Sequence, residues 1–341
     1  MESKVAKNTS NYRLLSISLL SNSVCIKAVL QQQILASIAL SSRSLAVPDL
    51  PSNTPRRQEL IPLNRLPDDT TVLYRSAIAL KLAPLWQLPA LNLAHQLADC
   101  LATIHQDTSS QVSLDFRVEV CFSGWIHFYL SDQSLANWLQ QLIHIPALPS
   151  DWQDNLLLGL PTKEIKNQSL EKLAITRSAQ LVKRLQNPSH LFKVQYAHAR
   201  CCSLLRLAHR QGLLQLSDSE CNARNWQIFE PNPIPWLNDH PEVEMGSKRL
   251  RLEHWAEWAL IHQILDGFDQ IYLLDSVSAL KLANSLSKAF ATFYSTCRIW
   301  GEVKTETPKL AQARLGLVGV TQKLLRSLLE DQLGETAPRE L

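Results

Sequence analysis

One stretch of this chain alternates apolar and polar residues, and its longer regular stretches carry helical spacing instead. Val112, Leu114, Phe116, Val118 and Val120 alternate with polar neighbours, as in a strand with one buried face. Ser123-Gly124 supplies a turn, and Ile126, Phe128 and Leu130 continue on one face of a second strand. Ser131 is placed to cap a following helix whose stripe is Leu135, Trp138, Leu139 and Leu142. Before the hairpin, Ile26, Leu30, Ile34 and Ile38 recur every four residues, and 77–85 and 91–101 read as two short helices around Pro89. Hairpin and helices together make an α+β domain over 24–145, preceded by an unpatterned extension at 1–23 and interrupted by a Pro-, Ser- and Asn-rich stretch from Pro48 to Pro62.

Beyond it the pattern is helical. Pro146, Pro149 and Pro161 mark a linker at 146–168. The all-α remainder, 169–341, carries expected helices near 169–186, 189–211, 251–267, 276–298 and 307–333. Pro231, Pro233, Pro235 and Pro241 forbid a helix through an irregular insert at 217–247. In the last helix Thr307 is the expected cap, Pro308 lies in the first turn and Gly334 ends it. The fold class is therefore mainly α, with a small α+β N-terminal domain and a C-terminal helix bundle.

Composition excludes several chemistries. Nine glycines are too few and too dispersed for the turns of dinucleotide fingerprints and P-loops. The ten histidines include no His-Glu-x-x-His and no ligand-spaced pair, and there is no Gly-x-Ser-x-Gly turn, so neither a metal site nor a catalytic residue is expected. Seven cysteines, an odd number without Cys-x-x-Cys, read as reduced thiols of a cytoplasmic protein. Lys4 and Lys7 precede an apolar run that Ser16, Ser18, Ser21 and Asn22 break up; neither a targeting peptide nor a membrane span is expected. The net charge of +3 is a weak overall field, so a polyanion would have to meet a local basic face.

One helix offers such a face. In Lys193 to Arg206, the residues Val194, Ala197, Cys201, Leu204 and Leu205 share one side, continued by Ala208. Tyr196, Arg200, Ser203 and Arg210 lie opposite, with Arg206 at the flank. A ring among guanidinium groups suits splayed RNA bases and phosphates; the pattern equally describes a solvated polar face with a packing tyrosine.

Val194 to Arg206 resembles the Val-Gln-Tyr-Ala-His-Ala-Arg-x-x-Ser-x-Leu-Arg helix that opens the anticodon-binding domain of arginyl-tRNA synthetases. Glu257-Trp258-Ala259-Leu260-Ile261, Phe290-x-x-Phe293-Tyr294 and Arg314-Leu315-Gly316-Leu317 are similar to that domain's later segments. The ending Ala337-Pro338-Arg339-Glu340-Leu341 stands where family chains often finish Ala-Pro-Glu-Arg-Met. Upstream, Ser76 to Ala83 and the hairpin from Val118-Glu119-Val120 through Gly124-Trp125-Ile126-His127-Phe128 resemble the family's additional N-terminal domain, which contacts the tRNA elbow at the D-loop. Trp125 and His127 replace its Phe and Asn.

The resemblance implies tRNA contacts at Gln195, Tyr196, His198, Arg200, Arg206, Tyr294, Arg298 and Arg314 in the anticodon domain, and at Trp125, His127 and Phe128 near the D-loop. The family's catalytic domain lies between these parts, with a His-x-Gly-His element and a Lys-Met-Ser-Lys-Ser-like loop; neither occurs in this sequence, so no ATP cofactor is expected. The reading that follows is a tRNA-binding protein with arginine tRNA as its partner. Two alternatives stand beside it. One is a component of arginyl-tRNA aminoacylation with a separate catalytic partner. The other is a protein-interaction scaffold docking a partner through 217–247, where Trp226, Ile228, Phe229, Ile234 and Trp236 are the apolar candidates, or else fold back over their own core.

Overall fold

The computed structural model describes residues 13–18, 25–45, 61–68, 70–103, 113–145, 188–217, 227–238, 248–270 and 276–340. The helix expected at 169–186, Trp226 and Leu341 lie outside them. The chain divides into two units, Met1–Ser134 and Leu135–Leu341.

The first unit is a five-stranded antiparallel sheet with helices. Its strands are β1 (Arg13–Ser18), β2 (Leu63–Leu66), β3 (Val72–Ser76), β4 (Ser113–Val120) and β5 (Ile126–Leu130), in the spatial order β1-β4-β5-β3-β2. The expected hairpin is β4–β5, with Val118 opposite Phe128 and Val120 opposite Ile126. Leu114, Phe116, Val118, Ile126 and Phe128 are buried, so the alternation does set the inner face. The supposedly unpatterned N-terminus is corrected at one place: Arg13–Ser18 pairs with β4, from Arg13 opposite Val118 to Ser18 opposite Ser113. α1 (Ile26–Leu45), α2 (Ile78–Trp86) and α3 (Ala90–Thr103) complete the unit, with α3 against β1, β4 and both other helices. Ile26, Leu30, Ile34 and Ile38 are all buried, because a four-residue recurrence keeps them on one stripe of α1.

Helix α4 (Asp132–His144) begins in the first unit and belongs to the second from Leu135 onward. Ser131 caps it as expected, accepting from the Ser134 amide at 3.2 Å. The division between the units therefore falls within α4, and the linker expected at 146–168 lies outside the described residues. The far end of α4 is held by Lys323, which donates to the carbonyls of Leu142, Ile143 and Ile145. Helix C-termini leave such carbonyls unpaired and attract cations. Burial pushes the Lys323 ammonium down to about 8, which still leaves it charged at neutral pH.

The second unit contains α5 (Pro188–Arg210), the two-stranded β6 (Gln215–Leu216) and β7 (Ile228–Glu230), α6 (Trp255–Gln270), α7 (Ser276–Thr296), the single-turn α8 (Glu302–Glu306) and α9 (Pro308–Ser327), continued by a π-helical turn at Leu328–Gln332. α5 packs on α9 and α7, and α6 on α7. The insert folds inward. Ile228, Ile234 and Trp236 are buried, and Gln140 on α4 accepts from both the Trp236 indole and the Ile234 amide at 2.9 Å. Gly316 and Gly319 on α9 face these side chains where a Cβ would collide with them. Of the described apolar residues expected to dock a partner, Ile228, Ile234 and Trp236 are thus core and Phe229 is exposed. Among the described residues, no helix is long and apolar enough to cross a membrane.

Candidate nucleic-acid interface

Helix α5 presents two working stripes beside the one it buries. Gln195, His198 and Arg206 form the first and are covered by the end of the chain. Gln195 Nε2 donates to the Thr336 carbonyl at 3.1 Å, His198 Nδ1 to the Pro338 carbonyl at 2.7 Å, and Arg206 to the Glu340 carboxylate at 2.7 Å and the Arg339 carbonyl at 3.2 Å. The contacts advance in the same direction along helix and tail. From Gln195 to Arg206 the helix rises about 16 Å, and an extended chain from Thr336 to Glu340 spans about 13 Å, so a short extended tail suffices to meet all three.

His198 is the centre of this clasp. With Nδ1 donating to a carbonyl, its Nε2 accepts from Gln322 Nε2 at 2.8 Å, which defines a neutral ring. Burial is the main force holding its pKa below the ordinary histidine value; Arg326 and Arg339 push the same way, against the Pro338 bond and Glu330. The ring is 1% exposed. His198 was expected at the RNA surface; it is corrected to an architectural residue, because both ring nitrogens are used inside the unit.

The second stripe is open. Phe192 and Tyr196, each 54% exposed, lie with ring centroids 6.3 Å apart and planes inclined by 30°. One turn further on, Arg200 donates to the Tyr294 hydroxyl of α7, and its guanidinium lies 4.8 Å from that ring's centroid. Tyr294 in turn stacks on Phe290 at 6.3 Å. The helix thus carries a tilted aromatic pair next to a guanidinium stacked on tyrosine, the equipment that grips unstacked bases and phosphates. Lys193 and Arg298 are also exposed.

Arg314 is the other correction in this unit. It is buried, with Nε 2.6 Å from Glu257 Oε1 and Nη1 donating to the Arg298 carbonyl. Glu257 Oε2 accepts from the His254 amide at 2.8 Å, closing the start of α6 as a capping box does. The charged residues of two family-like segments therefore tie α6, the end of α7 and α9 together. Removing one partner of such a pair costs roughly 3–5 kcal/mol.

In the first unit the site residues divide by strand register. Phe128 points inward and is fully buried, a correction that follows from its alternation with His127. Trp125 and His127 are half-buried on the outer face, and so is Tyr129. Arg75 on β3 pairs with His127 and lies 4.3 Å from the Trp125 ring centroid. Arg117 on β4 pairs with Tyr129, lies 4.6 Å from its ring centroid, and is 3.3 Å from Glu119. Burial, then Arg75, lowers the His127 pKa. The β4–β5 turn leaves Phe122 97% exposed.

Phe192, Arg75, Arg117, Tyr129 and Phe122 were missed by sequence reasoning. Alternation could have found Tyr129 and Arg117. Arg75 required the β3–β5 pairing, and the exposure of Phe122 required the turn. Among the described residues, no group of His, Cys, Asp and Glu could hold a metal ion.

Residues 194–341 match the family described as the DALR anticodon binding domain. The C-terminal half of the chain is related to arginine–tRNA ligases: 32% identity over 165 residues to that of Heliobacterium modesticaldum, covering 47% of this chain and 24% of the relative, and 33% over 162 residues to that of Symbiobacterium thermophilum, with 47% and 24% covered. The enzyme of a Synechococcus strain is 30% identical over 152 residues, 43% of this chain and 22% of its own length. These alignments span about a quarter of the relatives' length. No solved structure matches the chain.

Proposed function

We propose that this protein binds transfer RNA in the cytoplasm, arginine tRNA by preference, and carries no ATP site of its own. The single observation that supports this most directly is the open stripe of α5, where Tyr196 and the Arg200–Tyr294 pair stand exposed or half-exposed within the segment matching the anticodon-binding family, with Phe192 beside Tyr196 just before that segment. Trp125 and His127 on the first unit's outer face supply a second contact. Arg206 contributes less, since Glu340 already neutralises it.

The test is titration of labelled arginine tRNA, and of a tRNA for another amino acid, into the full chain at low salt. Expected are saturable binding that favours arginine tRNA and a loss of about tenfold or more in the Tyr196→Ala, Arg200→Ala double variant. No binding to either tRNA overturns the proposal, and equal affinities overturn the preference. The likeness to arginine–tRNA ligases favours a second reading, a component of arginyl-tRNA aminoacylation working with a separate catalytic partner. Copurification of an arginine-activating protein, with aminoacylation lost on its removal, would support that version.

A further inference from the structure

Arg206 on α5 is occupied by a carboxylate of its own chain. Its Nη1 donates to Glu340 Oε1 at 2.7 Å and its Nη2 to the Arg339 carbonyl at 3.2 Å. The residues just before these two are fixed more deeply. The Glu335 amide donates to the Leu329 carbonyl at 2.8 Å. The Pro338 carbonyl accepts from His198 Nδ1 at 2.7 Å, and that buried ring is itself held by Gln322 of α9. Pro338 is therefore a fixed point of the segment.

Beyond Pro338 the contacts with Arg206 lie at the surface. Arg339 and Glu340 are exposed, and the paired side chains are 31% exposed at Arg206 and 77% at Glu340. Two residues of extended chain reach about 7 Å, so the Glu340 carboxylate can swing clear of Arg206 while the Pro338 bond stays closed. An exposed ion pair is worth a factor of about 1.4 to 5 in an equilibrium. A phosphate presents the same guanidinium with two oxygens in the same forked geometry. Arg206 lies about 9 Å further along the helix axis than Arg200, at the flank of the open stripe, so RNA held by Tyr196 and Arg200 brings its backbone close to this pair.

Resting on the tRNA reading, we infer that Glu340 is a displaceable cover: its carboxylate stands on Arg206 where an RNA phosphate would, and bound RNA replaces it while Pro338 stays clamped on His198. The two ends of the clasp then have different tasks. His198 fixes the segment against α5, and Glu340 holds one cation of the helix in reserve. RNA that reaches Arg206 has to displace the carboxylate first, so the cover weakens binding by up to the strength of one exposed ion pair. An RNA gripped at Tyr196 and Arg200 alone does not meet it.

The experiment is a double-mutant cycle on the full chain with labelled arginine tRNA at low salt. Glu340→Gln keeps the side chain's shape and removes its charge; it should bind about two- to fivefold more tightly than the wild type. The same substitution in an Arg206→Ala background should give no gain over Arg206→Ala alone. Glu306→Gln removes an equal charge from the exposed end of α8 and controls for the protein's overall field; its gain should be clearly smaller. Glu340 is exposed, so its variant reports on binding and not on folding. An unchanged affinity in Glu340→Gln overturns the cover. So does a gain that persists without Arg206, or one that Glu306→Gln matches. In each of these cases tRNA binding that still falls with Tyr196→Ala, Arg200→Ala leaves the tRNA reading standing. Absence of binding by both the wild type and Glu340→Gln removes both.

Discussion

At the scale of single residues, the family-like motif on α5 combines two jobs that its sequence does not separate. Tyr196 and Arg200 face outward, whereas Gln195, His198 and Arg206 hold the chain's end. That end arrives from 140 residues away, so helical period alone could not reveal it; period sorts side chains by face and says nothing of what covers a face. His198 makes the distinction measurable. Its folded pKa lies below the ordinary value of 6.5, chiefly through burial. A folded state that resists protonation is stabilised by the neutral ring above pH 6.5, and the contribution is lost as pH falls through the folded pKa. Wild-type stability in urea should therefore drop between pH 7 and pH 5 by more than that of His198→Gln, whose amide can keep both hydrogen bonds without titrating. Parallel pH profiles for the two proteins would show that the ring does not carry the clasp. Phe128 teaches the complementary point. Its alternation with Ile126 and Leu130 already placed it inside, and likeness to a family segment was the weaker guide to its direction.

Among elements, those with long and regular patterns were legible and the short ones were not. α1, α3 and the β4–β5 hairpin follow their apolar spacing closely. β3 was hidden because Val72, Leu73 and Tyr74 are consecutively buried, which erases alternation, and β2 is only four residues long. β1 is recognised through its partner β4 more than through its own residues. Thr307 was expected to cap α9, but its hydroxyl donates back to the Val303 carbonyl, because α8 ends in the turn immediately before it. The insert's inward fold depends on two glycines whose role appears only in three dimensions. At Gly316 a Cβ would run into the Trp236 indole, a rigid ring whose Nε1 is fixed on Gln140; at Gly319 it would meet the flexible end of Ile228 at 3.0 Å. Gly316→Ala should cost about 2 kcal/mol, within the usual range for overpacking, and Gly319→Ala clearly less. Urea titration followed by tryptophan fluorescence distinguishes them, and equal or reversed costs would mean that Trp236 is not locked in place.

For the molecule as a whole, a net charge of +3 means that RNA affinity has to come from particular cations set among rings. On the two faces these are Arg200, Arg298, Arg75 and Arg117, and Arg117 is already shared with Glu119. Each phosphate neutralised on a paired RNA or DNA backbone contributes about −0.9 to the slope of log affinity against log salt, and about −0.7 on a single strand. Four such contacts give a slope of about −3 to −4, and stacking adds affinity without steepening it. Binding of arginine tRNA measured between 50 and 200 mM salt, a range suited to such slopes, should fall on that modest line. Arg200→Ala should flatten it by about one contact, whereas Tyr196→Ala should lower affinity at every salt concentration and leave the slope unchanged. A much steeper slope for the wild-type protein would place the main phosphate contacts on other cations than these four. A slope changed by Tyr196→Ala would mean that this ring acts by holding a charged group in place and not by stacking.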